Sequence, residues 1–303
     1  MRELRGLEDH ARARPGNFDA KGWNGISLVM AEGRADDTRS PAPSRSGPRP
    51  TPALERCPAH GEIIASLPGP ILAARLLYLE PGGSAAQHRD AIGFAFGGVR
   101  LHVPIVTHPD VELWIGGERM RWEPGELWYA DFAFPHRLAN PSSVTRVHLV
   151  IDIAITDALL ELFPPALVPA RVAGGVCRHR PVVTIDASAL HRFEGRWHVP
   201  RALFLAINAP EDLSFEQSGE EPNTLVARGP DGEIVFVLDP LDERTLAIRG
   251  YYQGITFEAS EDGRVELVHR GRVTFDPETF DENTTPWDLF TTRTPLERSP
   301  ASP

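Results

Sequence analysis

The chain has 303 residues, 41% of them hydrophobic, with 42 acidic against 31 basic side chains and a formal net charge of -11; it is long enough to bury a core and too apolar for wholesale disorder. Two cysteines, Cys57 and Cys177, cannot build a disulfide framework or a cysteine-rich zinc site, and no run approaches 18 uncharged apolar residues, so the expectation is a cytoplasmic protein without membrane contact. The single lysine, Lys21 in DAKGWNG, excludes a P-loop and a pyridoxal Schiff base, since both need a lysine in a specific context.

Residues 1–22 are polar and expected to fray. KGWNGISLVMAEG reads as a strand. ADDTRSPAPSRSGPRPTPALE follows as an extended loop, because proline removes donors and blocks helix. AHGEIIASL reads as a short helix. From residue 70 the pattern becomes a series of strands: ILAARLLYL, GVRLHVPIVT, VELWIGG, ELWYADF and VTRVHLVIDIAI, parted by the turn signals PGG, HPD, GGE and EPGE. Short strands at this spacing predict a sandwich or barrel. ALLELF, near 158–163, reads as helix.

Strands resume beyond Pro181. EIVFVLD follows a GPDG turn, and GITFEAS and RVELVHR flank EDG as a hairpin. The tail after Phe290 is expected to be disordered. Residues 181–303 hold 22 acidic and 11 basic side chains and so carry the whole net charge, while the preceding charges cancel. That asymmetry predicts two units, 1–175 with its core at about 60–155, and an acidic β-rich unit over 176–303. An acidic surface argues against nucleic acid, whose phosphates are gripped by cations.

Five of the eleven histidines lie between His88 and His148. His88 and Asp90 form a His-x-Asp pair whose alternate residues can point the same way from an extended segment. His136 follows 48 residues after His88, and Arg146 ten residues later, in TRVHLVID. A His-x-Asp alone arises often by chance; the order and the β-rich background give it meaning. Two imidazoles and a carboxylate hold Fe(II) on one face and leave positions open for a 2-oxo acid and O2. The oxo acid's far carboxylate needs a cation, and arginine supplies a bidentate fork. This order predicts an Fe(II)/2-oxoglutarate oxygenase.

On HRD, RLHVPI, GELWYAD, PHRLAN and RVHLVID, the chain resembles the aspartyl/asparaginyl β-hydroxylase family from about Leu67 to Ile155. The resemblance implies a mainly β protein: a double-stranded β-helix (jelly-roll, cupin-like) oxygenase core, here with a C-terminal β-rich extension. It implies that His88, Asp90 and His136 are catalytic metal ligands for Fe(II). By the same resemblance Arg146 binds the distal carboxylate of 2-oxoglutarate. Arg100 and His102 contact the co-substrate or the substrate carboxylate. With Asp90 present, the chain is similar to bacterial members that keep the full triad. The implied reaction hydroxylates an amino acid, or an Asp/Asn-type residue in a peptide, with succinate and CO2 as co-products. The alternative from another class is a non-catalytic metal-binding β-barrel sensor or binding protein, against which the retained Arg146 argues.

The aromatic stretch of Trp114, Trp122, Trp128, Tyr129, Phe132 and Phe134 is expected mainly in the core, with one or two residues lining the substrate pocket. His148 shares the strand face of Arg146. His191 and His198 read as surface or packing residues, and Cys57 as inert rather than nucleophilic, since no base can be assigned to it. The acidic extension is expected to help select substrate, or else to cover a barrel face or form a homodimer contact.

Overall fold

The computed structural model describes residues 2–7, 9, 20–38, 41–164, 175–200, 211–271 and 290–299. Nine strands form the first sheet: β1 (Ala20–Ala31), β2 (Pro48–Pro50), β3 (Ile71–His88), β4 (Gly98–Val106), β5 (Glu112–Ile115), β6 (Glu118–Met120), β7 (Trp128–Tyr129), β8 (His136–Ala139) and β9 (Arg146–Ala154). All pairings are antiparallel, in the order β6-β5-β8-β3-β9-β4-β7, with β1 joining β3 and β2. The long β3 makes this a jelly roll. Residues 71–79 pair with β9, and residues 84–88 pair with β8, so one strand serves both layers.

The sequence PGG, expected to be a turn, is the corner between those layers. The chain stays in strand through it to His88. Gly82 takes a positive φ of 73°, which a side chain would resist, and the backbones of Gly82 and Gly83 exchange hydrogen bonds with Asn140 at 2.7 and 2.9 Å.

β9 is buried along its whole length, and its two faces differ. Val147, Leu149, Ile151 and Ile153 join an apolar cluster with Val99, Leu101 and Val103 of β4, beneath α2 (Pro52–Glu55) and α3 (Pro58–Ser66). The other face turns Arg146, His148 and Asp152 inward. The alternation is thus reversed from the usual sheet, with the polar residues inside the barrel. Residues 2–7, within the segment expected to fray, are docked. α1 (Arg2–Arg5) places Glu3 to accept from the Ala59 amide at 2.8 Å, and Leu7 is buried. The helix expected near 158–163 is α4 (Asp157–Leu160), capped by Thr156.

After α5 (Ala187–Leu190), a second sheet of nine strands runs in sequence order: β10 (Gly195–His198), β11 (Asp212–Gln217), β12 (Leu225–Arg228), β13 (Ile234–Asp242), β14 (Thr245–Ile248), β15 (Ile255–Ala259), β16 (Val265–Gly271), β17 (Phe290–Pro295) and β18 (Glu297–Arg298). Each strand pairs with its neighbour in sequence up to β17. β18, one residue further on, pairs with β10 and closes the ring. The tail expected to be disordered therefore completes a barrel as far as Arg298. An edge strand invites closure, because otherwise its donors and acceptors stay open. Phe215, Phe236, Phe257, Leu225 and Leu267 fill the interior.

The two barrels share a joint. In the 3₁₀ turn Phe94–Phe96, Phe94 packs on Tyr129 and Phe163 of the first barrel. Phe96 packs on Tyr251, Tyr252 and His269 of the second. Phe96 also accepts the Gly254 amide at 2.9 Å, and Phe94 the Cys177 amide at 2.8 Å. Among the described residues, no helix is long and apolar enough to cross a membrane.

Candidate metal centre and active site

His88 closes β3 and His136 opens β8, and the two are directly paired across the strands. Their rings stand 4.2 Å apart. Asp90 lies just beyond, tethered by its own amide to the Phe132 carbonyl at 2.9 Å. One donor atom from each of His88, Asp90 and His136 falls within 4.8 Å of the others. The histidine Nδ1 atoms are already committed. That of His88 meets the Ala86 carbonyl at 2.7 Å, and that of His136 the Phe134 carbonyl at 3.0 Å. A carbonyl can only accept, so each Nδ1 carries the proton and each Nε2 presents a bare lone pair. Two imine nitrogens and a carboxylate fit a divalent transition metal. Burial pushes the Asp90 carboxyl up, but the neighbouring cationic charge, Arg100 first, outweighs it and holds Asp90 below the usual carboxylate range.

Behind Asp90 runs a chain of charges. Arg100 donates from Nη1 to Asp90, and from Nε and Nη2 to Asp152 at 2.7 and 3.1 Å. Arg75 donates to the same Asp152, and to the Thr38 carbonyl at 3.2 Å. Two cations and two anions balance inside the barrel. Arg100, expected from the resemblance to meet a carboxylate of the co-substrate or substrate, holds two of the chain's own. Arg75 and Asp152 were not foreseen. Their signal was Arg75 as the one charge in the apolar run ILAARLLYL, and Asp152 on the same period-2 face as Arg146 and His148 in RVHLVIDIA.

At the other end of the barrel's inner face, Arg146 is only 3% exposed and has no acidic partner among the described residues. Its Nη2 donates to His148 Nδ1 at 2.8 Å, and its Nε is buried without a hydrogen bond. His148 Nδ1 lies 3.4 Å from His102 Nδ1. Since Arg146 can only donate, the His148 atom is bare and the His102 atom carries the proton. The buried, unpartnered His102 Nε2 is then bare as well. Burial, and next the Arg146 charge, push both imidazoles well below their ordinary range, so both are neutral at pH 7. Burial also lowers Arg146 to about 9.

A cavity of about 220 Å³ opens beside this group, lined by Arg146, His148, Trp122, Leu113, Met120 and Thr107 among others. Rings link it to the metal-ligand group. Trp122 stands 5.3 Å from His102, His102 stacks on Phe132 at 4.8 Å, and Phe132 meets His136 edge-on at 5.0 Å. Of the aromatic stretch, Trp122 lines the cavity, while Tyr129 packs in the outer core. A buried guanidinium without a counter-ion calls for an anion, because an unpaired charge in an apolar setting is costly.

The remaining sequence candidates are unremarkable. His191 and His198 are exposed and pair with Glu194 and Asp212 at 2.9 and 3.4 Å. Burial raises the Cys57 thiol to about 11, so it is inert. Cys57 also lies close to Glu3 and His60, but the Glu3 oxygens already accept from His60 and from the amides opening α3.

A family model described as aspartyl/asparaginyl beta-hydroxylase matches residues 3–155, which includes every residue of the metal-ligand group and Arg146. Among solved structures, the chain is similar to a predicted oxalate decarboxylase from Thermotoga maritima, at 13% identity over 48% of this chain and 95% of that one, with a TM-score of 0.28. It is also similar to the cupin domain of an XRE family transcriptional regulator from Enterobacter cloacae, at 19% identity over 28% of this chain and 82% of that one, TM-score 0.23. A cupin domain from Bordetella pertussis Tohama I matches at 20% identity over 30% of this chain and 88% of that one, TM-score 0.24.

Proposed function

Because the chain belongs to the aspartyl/asparaginyl β-hydroxylase family, we propose that it is an Fe(II)- and 2-oxoglutarate-dependent hydroxylase of an amino acid, or of an Asp/Asn-type residue in a peptide. The substrate C–H, 2-oxoglutarate and O2 give the alcohol, succinate and CO2. The observation that carries this reading is Arg146, a buried cation without an acidic partner among the described residues, on the inner wall of the barrel that also gathers His88, Asp90 and His136.

His88, Asp90 and His136 would hold the metal through two bare Nε2 atoms and a carboxylate kept ionised by Arg100. Fe(II) bound there supplies the oxygen chemistry that no side chain can perform. Arg146 would pair with the distal carboxylate of 2-oxoglutarate. The neutral His148 accepts from Arg146 and so orients its fork. Trp122, Phe132 and His102 form an aromatic wall between the two ends, which keeps water from the reacting region.

The test is succinate formed from 2-oxoglutarate by the full chain under air with added Fe(II). Iron-dependent succinate that stops under argon supports the reading. Absence of turnover in wild-type protein, with and without a panel of amino acids and Asp/Asn peptides, would overturn it.

A further inference from the structure

The second barrel reaches the closed end of the first barrel through Tyr252. Gly98, Arg100 and His102 alternate along the inner face of β4, opposite Ala154, Asp152 and Val150 of β9. The end of that face is nearly bare: a glycine and an alanine stand where larger side chains would close it. Tyr252 fills the gap. Its ring lies so close to Gly98 that a Cβ there would fall inside the ring's contact envelope. The residue is buried, packed on Phe96 at 5.0 Å and Tyr251 at 5.3 Å. The loop that carries it is stitched down on both sides. The Gly254 amide donates to Phe96, and the Gly254 carbonyl accepts from Arg270 at 2.8 Å.

We propose that Tyr252 is a positioning residue of the metal centre, and that the second barrel stoppers the first so that the Arg75–Asp152–Arg100–Asp90 chain stays dry and holds the carboxylate ligand in place. This rests on the hydroxylase reading for the role of Asp90. Its contact with Gly98, two residues from Arg100 on the same face of β4, sets the ring beside the buried charges, and burial and then the Asp152 charge push the Tyr252 phenol well above its ordinary range. Its hydroxyl is buried without a hydrogen bond, so the ring's bulk is the contribution. Ion pairs in a dry interior attract more strongly than in water, and an opened floor would let water compete for Arg100. Among the described residues, the cavity beside Arg146 takes no lining from the second barrel, so its reach to the site is from behind rather than at the mouth.

The experiment is Co(II) titration of metal-free full-length protein, followed by the cobalt absorption bands, in Tyr252→Phe, Tyr252→Ala and Phe257→Leu. Circular dichroism checks the fold of each. Loss of a group that supports a ligand weakens metal binding by roughly 10–100-fold, so Tyr252→Ala is expected to lose about tenfold. Tyr252→Phe keeps wild-type affinity because the ring remains. Phe257→Leu, inside the second barrel, lowers its stability and leaves cobalt affinity unchanged. Wild-type affinity in folded Tyr252→Ala overturns the proposal. So does an equal loss in Tyr252→Phe, or in Phe257→Leu. Amide exchange of residues 98–106 needs no metal and separates this idea from the hydroxylase reading. Faster exchange in Tyr252→Ala than in Phe257→Leu supports the stopper even if wild-type protein binds no cobalt, and equal exchange overturns it. If Tyr252→Ala does not fold, Gly98→Ala, which pushes the ring away, takes its place in both measurements.

Discussion

Arg100 grips Asp90 on one edge and Asp152 on the other, so the carboxylate of the metal-ligand group is anchored to β9, the strand paired directly with β4. The arrangement balances only as a whole. Asp152→Ala leaves the two buried guanidinium groups of Arg75 and Arg100 with one carboxylate, Asp90, where the intact chain has two. Breaking one side of a buried pair typically costs about 3–5 kcal/mol, and that loss is expected in urea unfolding. The double variant Arg75→Met/Asp152→Leu leaves Arg100 paired with Asp90 and is expected to recover part of it. A double variant less stable than Asp152→Ala would show that the chain of charges is not balanced in this way.

His88→Ala, Asp90→Ala and His136→Ala are each expected to abolish iron-dependent succinate formation while the circular dichroism spectrum holds. His136 is the most buried of the three and presents a bare Nε2, so its loss leaves two donors. Near wild-type turnover in any variant would remove that residue from the ligand set.

Arg146→Ala should raise the KM for 2-oxoglutarate. Removing one partner of a desolvated charge pair costs about 2–5 kcal/mol, which predicts a large KM change with a smaller change in kcat. Arg146→Lys is expected to restore part of the affinity, since lysine carries the charge without the planar fork. It also loses the donation to His148 Nδ1 in its present geometry. An unchanged KM in Arg146→Ala would place the anchor elsewhere.

Much of the site was legible because its residues lie on strands, where period 2 fixes the face. His88, Asp90, His136 and Arg146 could be picked from spacing and residue type, and the pairing of β3 with β8 brings the histidines together. Arg75 went unread because the other residues of ILAARLLYL are apolar, and Asp152 because it follows the apolar run LVI in β9. Such a strand suggests a core, and the sequence does not say that its polar face lines the inside of a barrel. Tyr252 was illegible in principle, since it depends on how the two barrels meet. The tail failed for a related reason: TTRTPLER has weak strand character, and pairing with β16 and β10 supplies what local preference does not.

The buried histidines predict acid sensitivity above the carboxylate range. His102, His148 and His269 all lie in the interior, and burial lowers each one, His269 to about 4. Above pH 6.5 neither the folded nor the unfolded chain protonates these rings, and stability is full. As pH falls below 6.5, the unfolded chain binds protons that the folded chain refuses, so stability declines until the folded value is reached. For His269 the window runs from 6.5 down to about 4 and is worth about 3 kcal/mol at its lower end, at 1.36 kcal/mol per unit. Depressed carboxylates such as Asp90 lose their contribution lower, below the ordinary aspartate range, so the two windows separate. Urea unfolding at pH 7.0, 5.5 and 4.5 is expected to show stability falling across the series, a choice of pH set by the ordinary histidine range near 6.5. In His269→Gln, which cannot take up the proton, the fall should be shallower by about 2–3 kcal/mol between the end points. Equal slopes for wild type and His269→Gln would mean that the ring is protonated in the folded barrel, and that its place against Phe96 does not exclude the charge.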